Sequence, residues 1–203
     1  MLRGKNSMWR DKLTEFVKEM QHPAWGISHF KRIYDLTKIL EQSQEKHCDD
    51  DAIFAAAYLH DIGAFEPFRQ KGKDHSEVAI QNVDEILNEI AFPSEKISLV
   101  KDMIKSHMFN SKPSDQIETI LFHDADTLDF MGTVGICRIL SIVGIDDWTP
   151  DLKSAISLIK KFSEQLPQCL YTEEAKKMGL ERKREMDVFL NKLATQTRDL
   201  KDI

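Results

Sequence analysis

The sequence predicts an all-helical fold, a single domain of about nine helices. Three observations predict it. Apolar residues recur at helical spacing (i, i+3, i+4, i+7) through nearly the whole chain. No segment alternates cleanly between apolar and polar residues, and the β-branched residues are not clustered as strands would have them. The 8 Gly and 6 Pro are scattered, so no linker is marked.

Composition bounds the function. With 203 residues, 41% hydrophobic and 31% charged, the chain has the makeup of a globular protein with a full core. No apolar run approaches the roughly 18 residues of a membrane helix. Met1 to Ser7 lack the apolar stretch of a signal peptide. Cys48, Cys137 and Cys169 are far apart, with no Cys-x-x-Cys pair, and read as reduced thiols of a cytoplasmic protein. A net charge of −6 argues against sustained binding to duplex nucleic acid, but a local basic patch still allows a small anionic substrate.

The elements follow in order. Trp9, Leu13, Phe16, Val17 and Met20 make a first amphipathic helix from about Ser7, a plausible N-cap, to Gln21, before His22-Pro23 breaks it. A second helix runs from about Ile27 to Lys46, with His29 on the stripe of Ile33, Leu36 and Leu40. Asp49, Asp50 and Asp51 offer caps and negative charge to a third helix that ends at His60-Asp61. His60 shares a face with Ile53, Ala56 and Ala57, and Gly63 sits where a left-handed residue would close the helix. Adjacent residues in mid-helix diverge by about 100°, so His60 and Asp61 can reach one ion only because the chain is leaving the helix there.

A basic loop with Arg69, Lys71 and Lys73 around Gly72 precedes a fourth helix capped by Asp74, with His75 in its first turn, running to about Ile90. Ser94 caps a fifth helix, whose apolar face carries Ile97, Val100, Ile104 and His107. The sixth starts near Ser114-Asp115 and is apolar nearly all round, which marks a central helix. Carboxylates buried there cost several kcal/mol each unless paired or bound to metal. Periodicity does not choose between its Asp124 and Asp126. A seventh helix reaches about Gly144, with Gly132 and Gly135 permitting close packing. Helices from about Asp151 to Gln165 and from Thr172 to Leu200 close the chain, the last as a charged covering helix.

Collected, His29, His60-Asp61, His75, His107 and an Asp of the sixth helix form a nitrogen and oxygen donor set that suits divalent Mn, Fe, Co, Ni or Zn. The order His…His-Asp…Asp resembles the HD-domain superfamily of metal-dependent phosphohydrolases. The phrases WGISHFKRI, AYLHDIG, IKSHMF and HDADTLDFMGTVGICRI are similar to its bacterial subgroup acting on nucleotides or other small phosphoesters. The resemblance covers residues 25 to 144, with the helices of 151 to 200 as cover; YTEEAKKMGLERKREMDVFLNKL is similar to the subgroup's last helix. It implies an all-helical fold and a metal held by His29, His60, Asp61 and Asp126, Asp126 being the second aspartate of the family's Asp-x-Asp phrase. His75 and His107 match positions that bind a second metal in one branch and face the substrate phosphate in another.

The activity expected from this is hydrolysis of a phosphoester or phosphoanhydride of a small phosphorylated substrate, a nucleotide above all. A bound divalent ion, with Mg added to the metals above, would lower the pKa of a water and polarise the phosphate. Asp61 would orient the water. His75 or His107 would protonate the leaving group or stabilise phosphoryl charge. Arg32, Arg69, Lys71 and Lys73 are candidate phosphate contacts. Two rivals stand beside it: a di-iron oxygenase of the same fold, kept open by His75 and His107, and a non-catalytic nucleotide sensor. Nothing in the sequence reports oligomeric state.

Overall fold

The computed structural model describes residues 6–45 and 47–201, with side chains from Met8 onward. Among these residues there are nine α-helices and no strand. They are α1 (Asn6–Phe16), α2 (Ile27–Glu41), α3 (Asp50–Leu59), α4 (His75–Glu89), α5 (Ile97–Ser106), α6 (Ile117–Asp129), α7 (Gly132–Ser141), α8 (Leu152–Gln165) and α9 (Glu173–Gln196). Short 3-10 turns follow α3, precede α5 and follow α8. No described helix is long and apolar enough to cross a membrane.

The caps that the sequence marks at Asp49 and Asp74 are made, and Asp151 and Thr172, expected only as helix starts, prove to be caps too. Asp49 accepts from the Ala52 amide, Asp74 from Ser76, Asp151 from Ser154 and Thr172 from Ala175, each satisfying an amide that has no partner within its own helix. Ser94 is different: it opens a 3-10 turn, and no side chain caps the start of α5. The Ser7 side chain and Lys46, expected as a cap and a helix end, lie outside the described residues. Helix α2 ends at Glu41, where the chain turns so that Glu41 accepts the Cys48 amide at 2.8 Å.

Helix α6 is the axis. It packs against α2, α5, α7 and α9, and from Leu121 to Asp129 it is buried on every side. Helix α3, whose Ala55, Ala56 and Ala57 have no exposed surface, lies between α2 and α5. Small side chains let these helices approach closely. Helix α1 covers α3, with Trp9 set edge-on against Phe54 and Phe92 at 5.7 and 4.8 Å between ring centres. Helices α7, α8 and α9 form the other flank.

This packing points element ends at one place. The C-termini of α3 and α5 end at His60 and His107, the first turn of α2 supplies His29, and α4 begins at His75. Gly63 makes the last meeting possible, but not in the left-handed conformation expected of it: among the described glycines only Gly72, Gly132 and Gly144 have positive φ. A Cβ on Gly63 would lie 2.1 Å from the His75 carbonyl oxygen and 2.9 Å from Cβ of Val78. The missing side chain is what lets the start of α4 rest on the turn after His60-Asp61.

Candidate metal centre

Two of the histidines close their helices in the same way. His60 and His107 are the C-cap residues of α3 and α5, and the Nδ1 of each meets the carbonyl three residues back: Ala57 O at 3.0 Å and Ile104 O at 2.7 Å. A helix C-terminus leaves carbonyls without amide partners, so an imidazole N–H satisfies one of them. Each bond engages Nδ1 as the donor and leaves Nε2 facing outward. His29 reaches the same state by another route, its Nδ1 lying 2.7 Å from Oδ2 of Asp129.

The Nε2 atoms converge. His29 Nε2 and His60 Nε2 are 3.0 Å apart, and Oδ1 of Asp126 is 3.4 Å from His29 Nε2. The Asp61 carboxylate spans two groups. Its Oδ2 lies 3.5 Å from His29 Nε2 and 3.3 Å from His60 Nε2. Its Oδ1 lies 3.2 Å from His75 Nε2 and 3.7 Å from His107 Nε2. Donor atoms of His29, His60 and Asp126, and of His60, Asp61 and His107, lie within 4.8 Å of one another. Lone pairs pointed at each other at 3.0 Å repel unless a cation lies between them, so this donor set fits a divalent metal ion.

The electrostatics agree. Burial works against ionisation of Asp61, yet the imidazoles of His60, His107 and His75 hold its carboxyl well below the usual carboxylate range. Burial is likewise outweighed at His107, where the Asp61 hydrogen bond and the Asp126 charge push the imidazole up to about 9. At His75 burial is the largest single effect and lowers the imidazole, but the Asp61 hydrogen bond and charge together raise it, while burial prevails at His60 and lowers it. Asp126 is held down, against burial, chiefly by His29.

Asp124 faces the other way. Wholly buried, it accepts from the amides of Tyr171 and Thr172 and from the Thr172 hydroxyl, each at 2.8 Å, and so anchors the chain entering α9. Of the basic candidates, Arg69, Lys71 and Lys73 line an open cleft that reaches His75. Arg32 is turned inward, with Nε 2.7 Å from Oδ1 and Nη2 2.9 Å from Oδ2 of Asp129.

Several residues of the site were not singled out from the sequence. Asp129 also accepts from Arg138 Nη1 at 2.7 Å, and Arg138 Nε donates to Ala24 O at 2.7 Å. The signal for this pair was present: a third carboxylate in the apolar α6, one turn beyond Asp126, and an arginine in the apolar α7. Trp25, Phe130, Met108 and Trp148 form the apolar wall of a pocket whose polar side is Asp61, His75, His107, Asp126 and Asp146. This pocket shares Trp25, Ala64, His75, Asp146 and Trp148 with the basic cleft, so the two are continuous.

A family model for the HD domain matches residues 26–131, which carry all the convergent histidines and aspartates. The chain belongs to the HD domain family. Solved structures share the HD fold over nearly the full length. One is a predicted HD superfamily hydrolase from an uncultured Thermotogales bacterium, 23% identical over 93% of this chain and 90% of the other, with a TM-score of 0.63. Another is Bacillus subtilis YpgQ in complex with ADP, 22% identical over 92% and 97%, TM-score 0.67. A third is an HD-superfamily hydrolase from Bacillus thuringiensis, 23% identical over 96% and 98%, TM-score 0.66. No curated protein matches the sequence.

Proposed function

We propose that this HD domain is a metal-dependent phosphohydrolase that cleaves a phosphoester or phosphoanhydride bond of a small substrate, a nucleotide in the reading the site favours. One observation carries the metal-dependent part. Three buried histidines have Nδ1 engaged, at Asp129, Ala57 O and Ile104 O, so that Nε2 faces the carboxylates of Asp61 and Asp126. His29, His60, Asp61 and Asp126 would hold the ion. Bound there, a divalent cation supplies Lewis acidity at the phosphate and lowers the pKa of a bound water.

The rest of the chemistry falls to the protein's own groups. Asp61, ionised and shared between four imidazoles, orients the attacking water. His75 carries a proton at a side chain 26% exposed, where the pocket opens into the cleft, and donates it to the leaving oxygen. His107, fully buried behind it, holds positive charge against the phosphoryl oxygens. Arg69, Lys71 and Lys73 take the anionic remainder of the substrate. The indoles of Trp25 and Trp148, 5.8 Å apart at 53°, offer faces for a base. The ADP bound to the structurally similar YpgQ is consistent with a nucleotide in this fold.

The second donor group, Asp61 with His75 and His107, favours one other reading, a di-iron oxygenase of a small organic substrate. That reading requires two irons per chain. The deciding experiment is release of phosphate or pyrophosphate from a panel of nucleotides and small phosphoesters, with Mn, Mg, Co, Ni and Zn each supplied. Turnover that vanishes in Asp61→Ala supports the phosphohydrolase. Silence across the panel together with two bound irons per chain overturns it.

A further inference from the structure

The three histidines with an engaged Nδ1 do not find their partners in the same way. His60 and His107 stand at helix C-termini, where carbonyls three residues back are free to accept. His29 stands in the first turn of α2. The carbonyl three residues before it, that of Gly26, already accepts the Phe30 amide at 3.0 Å. At this end of a helix the carbonyls point into the helix, so the backbone offers His29 no such acceptor. The acceptor comes instead from α6, as Asp129, a side chain with 1% exposure.

Asp129 is itself held from three directions. Arg32 grips both oxygens, Arg138 donates to Oδ2 and His29 occupies Oδ2 as well. A bidentate guanidinium leaves a carboxylate little freedom to rotate. The same residue therefore lies one turn beyond Asp126 on α6 and directly behind His29 on α2.

We propose that Asp129 is the positioning residue of the metal site: it accepts a hydrogen bond from Nδ1–H of His29, fixes that imidazole as an Nε2 donor, and is kept in place by Arg32 and Arg138. This extends the metal-site reading above. On this assignment Arg32 acts through Asp129, not on substrate.

The test is calorimetric titration of the metal-free chain with MnCl2, beside 15N spectroscopy of the histidine nitrogens. Asp129→Asn is expected to weaken Mn2+ binding by about 10- to 100-fold, the usual cost of losing such a partner. In the metal-free wild type the His29 proton is expected on Nδ1, and in Asp129→Asn divided between the two nitrogens. Arg32→Met, a change at a side chain one third exposed, is expected to weaken Mn2+ binding by a smaller factor with helical content retained. If Asp129→Asn does not fold, Arg32→Met and the wild-type spectrum carry the test. A purely structural cluster would lower the melting temperature while leaving Mn2+ affinity and the His29 tautomer unchanged, and that result overturns the inference. A wild-type chain that binds no Mn2+, Fe2+ or Zn2+ overturns the metal-site reading itself, a separate outcome.

Discussion

Oδ1 of Asp61 stands 3.2 Å from Nε2 of His75, while the other oxygen of the same carboxylate faces His60 at 3.3 Å. One residue thus belongs to both halves of the donor cluster. Replacing Asp61 with alanine is expected to remove metal binding and to drop turnover to background while the helical circular dichroism stays that of the wild type. Retained Mn2+ binding in Asp61→Ala would contradict the role of this carboxylate.

Asp124 and Asp126 are two residues apart, both buried, and should behave oppositely. Asp124→Ala leaves the part-buried Tyr171 and Thr172 amides without their acceptor, at about 0.5–1.5 kcal/mol for each hydrogen bond lost, so the melting temperature should fall. Its Mn2+ affinity should remain near wild type. Asp126→Ala should lose Mn2+ affinity with a smaller loss of stability. Thermal denaturation of the metal-free proteins, paired with calorimetry, separates the two.

Gly63→Ala places a methyl where the His75 carbonyl lies. Relief requires the start of α4 to move, at about 1–3 kcal/mol for overpacking of this kind, and His75 moves with it. The expected result is a lower melting temperature and slower turnover together, measured on the same preparation. An unchanged protein would mean that the close approach of α4 is not needed.

The metal-free chain should show a pH signature at His107. Its folded pKa of about 9 lies above the ordinary histidine value of 6.5, so its contribution to stability is present in full below 6.5 and is lost as pH rises through about 9. The melting temperature in chelator should therefore fall across that window, and less so in His107→Gln. Metal binding has the opposite sign, because the protonated imidazole beside Asp61 repels a cation held by that carboxylate: Mn2+ affinity should rise over the same range. A flat calorimetric profile would remove His107 from the cluster.

The helices were legible because their information is local. Spacing, caps and breaks lie within a turn or two of the residues they govern, and Asp49 and Asp74 cap where the sequence places them. His29, His60 and His107 were visible as imidazoles on apolar stripes. Gly63 was visible as a special position, although its use, a close approach to α4, depends on a helix that packs against it from beyond the loop.

By itself the sequence determined an all-helical chain and the set of nitrogen and oxygen donors it could bring together. Only the tertiary structure decided which donors meet. Periodicity specifies the face of a helix, not the neighbour on that face, so Asp124 and Asp126 were equivalent until packing turned one to α9 and the other to His29. The partners of Asp129 lie 100, 97 and 9 residues away, and no local rule joins them. Arg32 likewise read as a candidate phosphate contact until α2 was laid against α6 and its guanidinium met a buried carboxylate.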